Sequence, residues 1–306
     1  MLAQGLGALT KSKQWQGKED LIRSCCVLGG RCLASVTLSG MHHDTVQSAQ
    51  SQLLLVLREE LERKLDARKV ASDCVKTLVE RSLSTVEELR AAGPLPDHLN
   101  AWMVEFSLSI VSKFDMVEVL AASSAKSTPQ EASSAEPKHG APKNDWIVSL
   151  LSVFDLVKAL QLVPFDEHAC LAMIKPIVAF FEDVDAQQDK LWVSLRVDTK
   201  SSIIAKLTPL VKVVQGDSVP ELVKESILHR LQTTGVNFVS KLATETKFSN
   251  LRSLSLTLLS HIEKSFWIDN PSIKEMLDKL HADPHSRVRS QASELLSTLA
   301  NSMDTK

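Results

Sequence analysis

The chain has 306 residues, with 35 basic and 37 acidic side chains and a formal charge of -2. That length is enough to bury a core in one large domain or two smaller ones. The near-neutral balance argues against nucleic acid as a partner, because a binder needs a surplus of Lys and Arg to displace counterions from phosphates.

Tyrosine is absent and glycine scarce, while Leu, Ser, Ala, Val and Lys dominate. Glycine costs a helix backbone entropy and marks turns, so this composition predicts an all-α protein. The five cysteines (Cys25, Cys26, Cys32, Cys74 and Cys170) lack C-x-x-C spacing and read as reduced, buried thiols. Met1 is followed by LAQGLGALTKSK, which lacks the basic-then-apolar order of a signal peptide. No apolar run reaches the roughly 18 residues that span a bilayer. The expected compartment is cytosol or nucleus, with no membrane insertion.

At the start, Gly5-Leu-Gly7 is a lone G-x-G with no strand before it, a weak dinucleotide signal. The stretch Gln14-Trp15-Gln16-Gly17-Lys18-Glu19-Asp20 raises the question of a phosphate loop. Such a loop requires G-x-x-x-x-G-K-[ST], because glycines admit the phosphate and the hydroxyl holds magnesium. Here Ser12 takes the first glycine's place, and Glu19 replaces the hydroxyl with a charge that repels phosphate. The stretch therefore reads as a helix start, with Trp15 packed beneath and Glu19 and Asp20 in a first turn that favours negative charge. Cys25 and Cys32, seven apart, fall on one face of that helix and read as small buried hydrophobes rather than metal ligands.

Asp44 precedes a run in which Leu54, Leu57, Leu61 and Leu65 recur at helical spacing. Glu59 with Arg63, and Glu60 with Lys64, add pairs to its wet face. Ser84-Thr-Val-Glu87 and Ser218-Val-Pro-Glu221 have the form of capping boxes. Pro94-Leu-Pro96 should break the chain before a helix carrying Trp102, Phe106 and Phe114. The segment 121–143, rich in Ala, Ser, Pro and Lys, lacks the apolar surface to offset its ordering entropy. It is expected to be a disordered linker between helical blocks at 1–120 and 144–306. Its Thr128-Pro129 pair would suit a proline-directed kinase.

In the second block Phe180, Phe181 and Trp192 are assigned to the core, while Phe266-Trp267 reads either as inter-repeat packing or as an anchor for a partner. Asn270-Pro271 and Asp283-Pro284 each place a capping side chain before a proline at the first helical position. His281-Ala-Asp283-Pro-His285 gathers ligand-type residues, but Pro284 interrupts the continuous helix that two histidines four apart would need to share zinc. No G-x-S-x-G or other nucleophile motif is present. The expectation is a non-enzyme without cofactor or metal, built from about ten helices joined mostly by short turns.

The tail contains a recurring order. Asp283 precedes Val288-Arg289-Ser-Gln-Ala292, with Leu295 and Leu296 beyond, and 37 residues upstream Leu251-Arg252 opens the same order. Arg68 to Val75 is a weaker copy. The order D, then V-R-x-x-A-x-x-x-L, resembles the second helix of a HEAT repeat, and a spacing near forty residues fits two helices per unit. The fold expected from it is a HEAT-like α-solenoid of antiparallel helix pairs.

A narrower resemblance rests on Lys11, Trp15, Gly17, Lys18, Glu19 and Leu21. Their K-x-x-x-W-x-G-K-E-x-L order resembles an element that opens one of the last repeats of the large HEAT-repeat proteasome adaptor and scaffold family. Leu191-Trp192-Val193-Ser194-Leu195 is similar to that family's W-K-V-Q-L repeat, and the positions around Asp283, Val288 and Arg289 continue in order. The resemblance implies a non-enzymatic adaptor, present in cytoplasm and nucleus, whose partners are proteasome core and regulatory particle subunits. It further implies a role in proteasome assembly, quality control or localisation. A transport receptor or phosphatase-regulatory subunit is the alternative of the same fold. Family members are several times longer, so the chain corresponds to their final portion, and its polar tail from Asn301 to Lys306 reads as a true end.

Overall fold

The computed structural model describes residues 43–61, 65–117, 145–186, 197–244 and 247–303. All regular structure among them is helical, and no strand occurs there. The expected helix start at Trp15 to Lys18, the segment 121–143 with Thr128, and Trp192 lie outside the described residues. Packing divides the helices into two compact units, Met1–Ile177 and Val178–Lys306.

In the first unit, α1 (His43–Leu61) runs into α2 (Leu65–Ala92), and the two pack together. Leu53, Leu54, Val56, Leu57 and Leu61 bury one side of α1, as the leucine spacing predicts. Glu60 is an exception to the expected wet face: it is buried with those leucines, while Glu59 beside it is exposed. On α2 the buried positions are Ala71, Cys74, Val75, Leu78, Val79, Leu83 and Val86, steps of three and four that keep one face turned inward.

The Ser84–Glu87 capping box does not form. α2 continues through it, and the Ser84 hydroxyl donates back to the Arg81 carbonyl at 3.2 Å. A serine inside a helix satisfies itself in this way when packing carries the helix onward. The helix ends where proline demands. Gly93 donates its N–H to the Leu89 carbonyl at 3.1 Å, and Pro94 to Pro96 separate α2 from α3 (Asp97–Lys113). Trp102 and Phe106 stack on α3 with ring centroids 5.2 Å apart, and Phe114 is buried just beyond its end.

Residues 145–162 form α4 (Asp145–Leu150), a 3-10 stretch (Leu151–Lys158) and α5 (Ala159–Leu162). Trp146, Ile147, Leu150, Leu151, Val153, Phe154, Leu156, Val157 and Leu160 are all buried, as an apolar run enclosed on several sides must be. This run packs on α2, and its 3-10 part also touches α3. Polar contacts fix its register. Ser149 donates to the Asp73 carboxylate at 2.7 Å, Arg90 donates to the Gln161 carbonyl, and the Arg68 guanidinium lies 5.7 Å from the centre of the Trp146 ring. Segments on either side of 121–143 therefore share one core, and the division between units falls later, inside α6 (Glu167–Ala186).

The second unit contains the end of α6, then α7 (Val197–Gln215), α8 (Glu221–Leu242), α9 (Ser249–Leu259), α10 (Pro271–His281) and α11 (Ser286–Met303). A short 3-10 turn, Lys264–Phe266, precedes α10. α9 touches α7, α8 and α11; α8 touches α7 and α10; and α10 pairs with α11. Phe180 and Phe181 are buried as expected, with Phe181 edge-on to Phe238 of α8 at 6.4 Å. Trp267 is core as well, its indole N–H donating to the Ile262 carbonyl at 3.2 Å. Phe266 is half-buried against the His229 ring.

Gly235 on α8 permits close approach here, since a Cβ at that position would lie 2.7 Å from Ile262 Cδ1. α8 begins at Glu221, but Pro220 occupies its N-cap and no side chain caps it, so the box expected at Ser218 is replaced by a proline entry. Asn270 caps α10 as predicted, its side-chain oxygen accepting from the Ser272 amide at 3.0 Å with Pro271 at the first helical position.

Candidate functional site

Three residues marked in the sequence, Asp283, Val288 and Arg289, meet at the turn between α10 and α11. Val288 and Ala292 are buried on one face of α11. Asp283 is the centre of the turn. Its carboxylate accepts from the His285 amide at 2.8 Å, a tight side-chain turn; α11 opens only at Ser286, so Pro284 does not take the first helical position expected of it. The same carboxylate receives a two-pronged bond from the Arg252 guanidinium of α9, Nε at 2.7 Å and Nη2 at 3.1 Å.

The two side chains of this ion pair are 4% and 5% exposed. Burial alone would push the Asp283 carboxyl upward. The Arg252 hydrogen bonds, the His285 amide and the charge of Arg252 outweigh it and hold the carboxyl below its ordinary value of 3.8. Arg289 completes the turn from outside, its Nη1 donating to the Asp283 carbonyl at 2.6 Å and the Pro284 carbonyl at 2.9 Å. Arg252 and Arg289 occupy corresponding places in the 37-residue recurrence, and each grips the same turn, one from beneath and one from its rim.

A second set of polar bonds joins α9 to α11. Ser253 donates to the Gln291 side-chain oxygen at 2.8 Å, and the Gln291 amide donates to Thr257 at 2.9 Å. A third set joins α6 to α8. Arg230 is clamped to Glu182, which raises its pKa, and Asp185 accepts from Asn237 at 2.8 Å and Lys241 at 3.2 Å.

Beside the Arg252–Asp283 pair lies a cavity of about 420 Å³. Ala243, Met276, Leu280, Ala282 and Pro284 line it together with Lys279. Thr244 on its edge donates its hydroxyl to the Lys241 carbonyl at 2.9 Å. The recess is therefore apolar, with an internally neutralised ion pair at one wall. This arrangement holds the α9 and α10–α11 segments in register.

The ligand-type residues of 281–285 are engaged with protein partners. His281 Nδ1 hydrogen-bonds the Ser293 hydroxyl at 2.9 Å, and Asp283 is committed to Arg252. Among the described residues no group of three or more His, Cys, Asp or Glu is placed to hold a metal ion. Cys74 and Cys170 are both buried. Burial, and then the charge of Asp166, push the Cys170 thiol up to about 11 from 9.0.

Trp15, Gly17, Lys18, Glu19 and Trp192, which carry the narrower resemblance, lie outside the described residues, as do Cys25, Cys26 and Cys32. Among the described residues no helix is long and apolar enough to cross a membrane. Sequence reasoning placed Arg252 in a recurrence but did not pair it with Asp283. The available signal was the common register of Arg252 and Arg289, which assigns two arginines to one kind of turn. Compared with known proteins, the chain matches no family model, no curated protein and no solved structure.

Proposed function

We propose that the chain is a HEAT-like scaffold that binds the proteasome, acting through extended helical surfaces rather than through a catalytic centre. The observation that carries the scaffold reading is the Arg252–Asp283 bond. It ties the first copy of the 37-residue recurrence, at Arg252, to the turn that opens the second, at Asp283, a link between neighbours of the kind that stacked repeats would use. The packing of α9 on α7 and α11, with α8 on α10, is consistent with two stacked layers of helices. The choice of the proteasome rests on the resemblance at Trp15, Gly17, Lys18, Glu19 and Trp192, and assembly, quality control or localisation in cytoplasm and nucleus are the roles that follow from it.

The test is affinity capture of the tagged chain from its native cells, followed by mass spectrometry. Core and regulatory particle subunits should co-purify in proportion to the bait. Recovery of only transport or phosphatase components would overturn the proteasome assignment while leaving the scaffold reading intact.

A further inference from the structure

We draw no further inference here: the strongest candidate, the apolar cavity at the carboxyl ends of α8 and α10, is walled by an Arg252–Asp283 pair already committed to the α10–α11 turn, and nothing in the structure shows what covers it.

Discussion

In the unit that ends at Ile177, residues 146–160 enter the core as a nearly unbroken apolar run against α2. Several polar atoms are buried there without hydrogen-bond partners, namely the hydroxyls of Ser82, Ser107 and Ser152 and the indole N–H of Trp102. In the unit that begins at Val178, helices are tied by directional bonds: Arg252 to Asp283, Ser253 and Thr257 to Gln291, Glu182 to Arg230. Apolar burial supplies free energy without direction, so it tolerates small slips of one helix along another. A pair in a dry interior, as Arg252–Asp283 is, penalises such slips steeply, because a displaced donor has no water to turn to, whereas the exposed Arg230–Glu182 pair adds little. Both units bury apolar faces; the first adds a few bonds such as Ser149 to Asp73, and the second ties more of its helices together in this way.

The largest effect that would break this contrast comes from the ion pair. Asp283→Ala removes the two-pronged bond to the buried Arg252 guanidinium and the bond to the His285 amide, and should cost about 3–5 kcal/mol, read as a drop in the urea midpoint of the whole chain. The double change Arg252→Met with Asp283→Leu should recover most of that loss. An unchanged midpoint for Asp283→Ala would mean that register in this unit is set by apolar contacts after all.

Acid probes the same pair. The Asp283 carboxyl is held below its ordinary value in the folded state, so the unfolded chain binds the proton more readily. The stabilisation is complete above the ordinary aspartate range and is lost as pH falls through the folded-state value. Urea midpoints of the wild type should accordingly fall below pH 4 by more than those of Asp283→Asn, in which this linkage is absent; parallel curves would remove Asp283 from the acid response.

A smaller effect, of opposite sign, is expected at Gln232. Its amide is fully buried on α8, and neither end finds a partner. Gln232→Met, close in volume, should raise stability by about 1–3 kcal/mol, measured as a higher melting temperature. A lower one would show that the amide is in fact satisfied.

The smallest effect lies in the first unit. Asp73→Ala removes the bond from Ser149 and should cost about 1 kcal/mol. Amide exchange should quicken in α4 and stay unchanged in α9. Equal acceleration in both would merge the two units into one cooperative block.

How much of this was legible depended on how local each determinant is. The break at Pro94 to Pro96 and the Asn270 cap of α10 rest on residues adjacent in sequence, and both read correctly. Ser84 looked like a cap because the motif is local, but whether α2 stops there is decided by the apolar surface on which Leu83 and Val86 rest. Glu60 was assigned to water by periodicity, which weighs spacing and is blind to what surrounds α1. The low-complexity segment 121–143 reads as a boundary, yet Trp146 reaches back to Arg68 and Ser149 to Asp73. The recurrence around Asp283 was visible. The pairing of Asp283 with Arg252, 31 residues apart, was not, because it depends on how α9 meets the α10–α11 turn rather than on neighbours in sequence.

Cys170 carries a practical consequence. With its thiol pushed up to about 11, the anion that reacts with alkylating reagents makes up only about one part in ten thousand at neutral pH. Chemistry at that sulfur must wait until α6 opens and restores its ordinary acidity. The time course of alkylation at Cys170, followed peptide by peptide, therefore works as a stopwatch for α6. It reports how often this helix lets go of its neighbours while the rest of the chain holds.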